Sequence, residues 1–181
     1  MKKTGFFLLL LATFQANAQK IYTKNGSISF FSKTALENIS ADNNQVTSIL
    51  HQQTGDLQFS VLIKAFHFKK ALMEEHFNEN YMESDRYPKA IFKGVIADIS
   101  KVNFTKDGSY AVTVNGDLTI HGVTNKVAVP GTVHVKSGAV SAAAGFNIKP
   151  ADYKISIPKL VKDNIAESIN ITVNCNYNQK L

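Results

Sequence analysis

Apolar and polar residues alternate with period two along most of this chain, and no other feature limits the fold as strongly. Successive side chains of an extended strand point to opposite faces, so the alternation gives each segment one apolar side. Leu57, Phe59, Val61, Ile63 and Ala65 alternate with Gln58, Ser60, Leu62 and Lys64. Tyr110, Val112, Val114, Leu118 and Ile120 alternate with Ala111, Thr113, Asn115, Asp117 and Thr119. The pattern resumes at Val127, Val129, Val133 and Val135, then at Val140, Ala142, Ala144, Phe146 and Ile148, and last at Ile169, Ile171, Val173, Cys175 and Tyr177. Less regular strands fit 27–33, 45–50 and 90–99. These make eight strands, joined mostly by turn-like pieces such as Lys106-Asp107-Gly108, His121-Gly122 and Lys136-Ser137-Gly138. Eight antiparallel strands either fold into a two-layer sandwich or close into a barrel, and long strands with hairpin links favour closure.

One stretch departs from this period. From Lys70 to Met82 the residues are good helix formers; Met73, Phe77 and Tyr81 recur every four positions, and Glu74, Glu75, Asn78 and Glu79 fall largely on other faces. The spacing predicts a short amphipathic helix, ended by Ser84-Asp85-Arg86-Tyr87-Pro88, since proline drives the residue before it out of the helical region. Ile157 to Glu167 reads as a loop with one helical turn after Pro158. The expected fold is all-β: an eight-stranded antiparallel barrel with one short amphipathic helix.

The first eighteen residues have the three parts of an export signal: Lys2-Lys3, an apolar run from Gly5 to Phe14, and Ala16-Asn17-Ala18. A membrane anchor needs about 20 apolar residues, roughly twice this run, so residues 1–18 are expected to be cleaved and 19–181 to form one domain. Cleavage removes two lysines and lowers the formal charge from +6 to +4. That charge is spread along the chain, its densest spots being pairs such as Lys69-Lys70, so nucleic-acid binding has no footprint. A weak attraction to anionic membrane surfaces stays open. No Cys stands at the cleavage point to carry a lipid, and Cys175, the single cysteine, cannot form an internal disulfide. The domain must be held by its apolar core, which a chain of this length can supply.

Residues able to do chemistry are sparse. Glu75, His76 and Glu79 form the one compact metal-like cluster, but the HExxH order is missing and a solvated acidic face is the simpler reading. His67, His121 and His134 read as surface imidazoles. A nucleophilic elbow GxSxG is absent, and Cys175 lies on the apolar phase of its strand, where a buried thiol is usual. Asn25-Gly26-Ser27 and Gly116-Asp117 are isolated turn or bulge glycines rather than phosphate loops. Neither catalytic residues, nor a metal, nor a cofactor are expected. The run Ala139 to Gly145 puts small side chains on both faces of one strand, which either leaves room for a ligand inside a barrel or lets the helix approach closely.

Several stretches match a known pattern: Phe30-Phe31-Ser32 with Leu36-Glu37-Asn38-Ile39, residues 55–68, Leu72 to Asp85 with Tyr87-Pro88, and Phe92-Lys93-Gly94. Gly116 to Thr124, Phe146 and Asp152-Tyr153 continue it. Across essentially all of 19–181 the chain resembles the YceI-like family of exported lipid-binding barrels. The resemblance implies a lipocalin-like barrel in the periplasm with an apolar tunnel for an isoprenoid or other long-chain amphiphilic lipid, and it implies no catalytic residues. One departure is visible: the family often has a His-Ser pair entering the first strand, where this chain has Gly26-Ser27. Any head-group contact made by that imidazole is not available here.

These readings together describe a periplasmic or secreted protein that sequesters or carries such a lipid. Phe59, Val61, Ile63, Val112, Val114, Leu118, Val133, Ala144, Phe146, Ile171 and Val173 are expected to contact the ligand, with Met73, Phe77 and Tyr81 near one mouth. Two alternatives stay open: a non-catalytic envelope stress or structural interaction protein with a filled core, and an enzyme acting on a lipid. Oligomeric state has no signature in the sequence, and a homodimer is compatible with it.

Overall fold

The computed structural model describes residues 20–180; the expected signal segment lies outside the described residues. Eight strands build the wall: β1 (Lys20–Lys33), β2 (Asn38–His51), β3 (Asp56–Leu62), β5 (Lys89–Ile96), β6 (Gly108–Ile120), β7 (Val123–Lys136), β8 (Ala139–Ile148) and β9 (Ile169–Tyr177). Two-residue strands β4 (His67–Phe68) and β10 (Gln179–Lys180) attach to β2 and β1. All pairings are antiparallel, and β1 pairs with both β2 and β9. The sheet therefore closes on itself, and the expected barrel is found. Among the described residues no helix is long and apolar enough to cross a membrane.

Several boundaries differ from the sequence reading, each for a local reason. β1 and β2 start at Lys20 and Asn38 rather than at 27 and 45. Their ladder shifts register between Thr23 and Gly26 and again between Gly26 and Ile28, and a bulge of this kind breaks the simple alternation of faces. β3 stops at Leu62: Ile63 N–H still donates to the Pro88 carbonyl, but Pro88 has no N–H to return, and the Ile63 carbonyl accepts from Phe66 N–H in a 3-10 turn, Ile63–Ala65, with Ile63 and Ala65 still buried. β5 stops at Ile96, and Ile99–Lys101 form a second 3-10 turn after Asp98, whose φ is 53°. The expected turn after Pro158 is a 3-10 turn, Lys159–Asn164.

The expected helix is two pieces. α1 (Ala71–His76) is α-helical, and Phe77–Tyr81 form a π-helical turn in which Met82 N–H donates to the Phe77 carbonyl at 2.8 Å. Phe77 packs against Phe30, Phe66 and Phe68 with ring centroids 5.5, 5.6 and 5.0 Å apart, and this cluster fastens the helix to the barrel.

At one end of the barrel Ile21, Leu50, Leu57, Ile96, Val133, Val135, Val140, Cys175 and Tyr177 form a packed plug. Ala41, Val46, Val61 and Phe66 form a second buried cluster, and Ile63, Met82, Leu118, Ile120 and Tyr153 a third.

An apolar cavity as the candidate functional site

Between plug and helix the barrel encloses a cavity of about 370 Å³. Inward residues of every wall strand reach it, because the pleat that turns polar side chains to solvent turns their neighbours inward. Phe59 and Val61 of β3, Ile63 of the following turn, Met73 of α1, and Phe77 and Tyr81 of the π turn border it. So do Val112, Val114 and Leu118 of β6, Val133 of β7, Ala144 and Phe146 of β8, and Ile171 and Val173 of β9. Ile28 and Phe30 of β1 also line it and were missed in the sequence, because the bulge at Gly26 hides their phase. Val127 and Val129 were legible from alternation alone, whereas Phe92 lies in the less regular strand, where exposed Ile91 and Val95 blur the phase. Val161 and Ile165, from the irregular segment after Pro158, carry no periodic signal.

The small-residue strand does leave space. Gly131, Thr132 and Val133 of β7 and Ala142, Ala143 and Ala144 of β8 all border the void, so it extends to the main chain of the wall there. Ala143 thus borders the cavity as well, although it shares the outward phase of its strand.

The closed end carries a small polar group inside the plug. Ser48 Oγ lies 2.9 Å from the Tyr177 hydroxyl, and both residues are buried. Burial pushes the Cys175 thiol up to about 12, partly offset by a hydrogen bond to Ser48, and burial likewise raises Tyr177. Gly26 faces this group: a Cβ there would sit 2.7 Å from Cys175 Sγ and 3.2 Å from the Val46 carbonyl oxygen. The sulfur therefore occupies space that any side chain at position 26 would need.

At the opposite end Glu37 joins three segments. Its Oε1 accepts from Lys70 Nζ beside α1, and its Oε2 from Asn164 Nδ2, both at 3.2 Å. The Asn164 bond, and then Lys70, hold its carboxyl below the usual carboxylate range. Ser32 Oγ accepts from Ala166 N–H at 2.8 Å, tying β1 to the same segment. Glu75, His76 and Glu79 are exposed, and among the described residues no three His, Cys, Asp or Glu side chains are grouped to hold a metal ion. His76 does border the cavity mouth.

His67 and His134 are exposed, and His134 Nδ1 lies 2.8 Å from Ser109 Oγ. His121 is not the surface imidazole expected from its polar phase. Its side chain is 10% exposed; Nε2 lies 3.1 Å from Glu83 Oε1, Nδ1 lies 3.2 Å from the Tyr153 carbonyl oxygen, and Tyr87 packs on the ring at 4.6 Å. The cause is the β6–β7 turn, where φ of 51° at His121 takes the residue out of strand phase and turns it toward the segments that flank the mouth.

An eight-stranded antiparallel barrel with an apolar interior and a helix across one end is the class that fold and site define. The chain belongs to the YceI-like domain family, which matches residues 13–177. No curated protein matches it. Among solved structures it is similar to a polyisoprenoid binding domain from Saccharophagus degradans implicated in plant cell wall breakdown, at TM-score 0.74 and 14% identity over 87% of this chain and 95% of that one. BcnA of Burkholderia cenocepacia aligns at TM-score 0.68 and 18% identity over 82% and 94%. A Campylobacter jejuni YceI protein aligns at 0.52 and 17% over 98% and 94%. At these identities the likeness speaks for the fold.

Proposed function

We propose that this protein is an exported carrier that sequesters an isoprenoid or other long-chain amphiphilic lipid in its barrel and performs no chemistry on it. The observation that carries the proposal is the cavity of about 370 Å³ with its almost wholly apolar wall. Sites for small molecules span roughly 300–1,000 Å³ and bury most of their ligand among apolar side chains with few polar contacts. Each buried methylene contributes about 0.8 kcal/mol, so a chain that fills the void binds without a specific polar anchor. The void also weighs against the filled-core alternative. Family membership and the polyisoprenoid-binding neighbour support the same class of ligand.

Export rests on Lys2-Lys3, the apolar run and Ala16-Asn17-Ala18. Peripheral contact with a membrane is part of the proposal. Leu36, Leu72 and Leu160 are 70, 60 and 95% exposed, and each directly precedes a residue of the cavity wall: Glu37, Met73 and Val161. Mass spectrometry of an organic extract of the purified protein is the test. Recovery of a lipid in near-stoichiometric amount is expected. No lipid in the extract, together with no uptake of farnesol or a longer polyprenol by the stripped protein, overturns the proposal, and chemical change of the lipid on incubation replaces it with an enzyme.

A further inference from the structure

β7 and β8 are paired over only part of their length. Their ladder runs from Lys136↔Ala139 to Gly131↔Ala144 and stops, while β7 continues back to Val123 and β8 on to Ile148. Over those continuations β7 still pairs with β6, and β8 still pairs with β9. Among the described residues nothing joins 123–130 to 145–148 as a ladder.

Pro130 explains where the ladder stops. The Thr113 carbonyl accepts from Ala97 N–H, so at Thr113 the main-chain groups of β6 face away from β7. Pro130 lies opposite Thr113, and the antiparallel rule then turns its own main-chain groups toward β8. Proline has no N–H to donate there, and within sheets it is confined to positions whose donor side is unpaired. Continued register would set Pro130 against Gly145 and Ala128 against Asn147. All four residues are exposed, and a Cβ added at Gly145 would meet nothing closer than 3.9 Å.

The split is bounded at both ends. On one side the ladder begins at Gly131; on the other, Asn125 Nδ2 donates to the Asp152 carbonyl at 2.8 Å, and Tyr153 packs into the cluster that contains Val127, Phe146 and Ile148. Val129 and Phe146, one from each lip, border the cavity. Beyond Gly145 the unzipped stretch is thus a place where the wall can widen without breaking a ladder hydrogen bond between β7 and β8, directly beside the void.

We propose that the split between β7 and β8 is an expansion joint that sets the longest chain the barrel accepts. The resting void is at the low end of the range for small-molecule sites. A short chain fits it as it stands, and a long polyisoprenoid needs the lips to part. The inference rests on the carrier reading above and adds chain-length selection to it.

The test uses the full domain stripped of lipid and a graded series of alcohols: geraniol, farnesol, geranylgeraniol and longer polyprenols, each displacing an apolar fluorescent dye. In the parent protein, affinity should keep rising with chain length past farnesol. Pro130→Val restores the missing donor and should zip the lips, seen as a slowly exchanging amide at position 130 and slowed hydrogen exchange at Asn147. In that variant geraniol should bind as before and the long polyprenols at least tenfold more weakly. The double variant Ala128→Cys with Asn147→Cys should do the same when oxidised and revert on adding reductant; buried Cys175 does not take part. Long chains bound equally by the zipped or bridged variants overturn the joint. A cysteine pair that never bridges in the lipid-free protein overturns it also, by showing a fixed gap. A parent that binds no alcohol of any length overturns the carrier reading itself, whereas normal geraniol binding with no length effect overturns the joint alone.

Discussion

Gly26 and Cys175 are a complementary pair, since the sulfur fills the space in which a side chain at position 26 would begin. A family-type histidine could not be placed at position 26 of this barrel without first removing that sulfur. Gly26→Ala should cost about 1 to 3 kcal/mol by overpacking. Urea unfolding of a double-mutant cycle should show a smaller cost in a Cys175→Ala background, with the Val46 carbonyl as the residual obstacle. Equal costs in both backgrounds would mean that the backbone, not the sulfur, is what excludes a side chain. His121 presents the opposite case, a polar residue drawn inward. His121→Ala removes contacts to Glu83 and to the Tyr153 carbonyl from a site only 10% exposed, and should lower stability by about 1 to 3 kcal/mol. A loss below a few tenths, measured the same way, would show that water replaces both contacts.

At the scale of elements, β8 is where the wall is thinnest. Ala144 borders the void, so a phenyl ring there has empty space to enter. Ala144→Phe should abolish farnesol binding while destabilising the lipid-free protein by less than the roughly 1 to 3 kcal/mol usual for overpacking a filled core. Ala143 is a poor control, because it too borders the cavity; Ala111→Phe, exposed on β6, should leave both binding and stability unchanged. Normal binding by Ala144→Phe would place the ligand elsewhere. The helical segment shows how tertiary contacts adjust local geometry. Its four-residue spacing was legible, but the ring cluster around Phe77 accompanies a π turn that spacing does not announce.

For the whole molecule, the buried plug predicts weakness toward alkali. Unfolded, the Cys175 thiol titrates near its ordinary 9.0; in the barrel it does so only at about 12. Between those values the folded state holds the proton that the unfolded state has released. Stability is therefore fully present below pH 9 and falls as pH rises toward 12, by up to about 1.4 kcal/mol per pH unit. Burial moves Tyr177 and Tyr153 in the same direction, which extends the loss. Urea midpoints between pH 8 and 11 should fall, and fall less steeply in Cys175→Ala; parallel curves for the two proteins would contradict the assignment.

Alternation along the chain determined the strands, their number and most of the inward face, because side-chain direction in a strand is a local property with period two. Phe59, Val112, Phe146 and Ile171 were readable in this way without knowing any partner strand. Which strands meet is not local. The pairing of β1 with β2 and β9, the bulge that hides Ile28 and Phe30, and the end of the β7–β8 ladder at Gly131 each depend on hydrogen bonds between distant segments. Pro130 was visible in the sequence, but only the neighbour facing its missing donor gives it a consequence. The same holds for His121, whose polar phase suggested solvent until Glu83, Tyr87 and Tyr153 closed around it: burial is decided by what the rest of the chain brings to a residue, and period-two spacing carries no record of that.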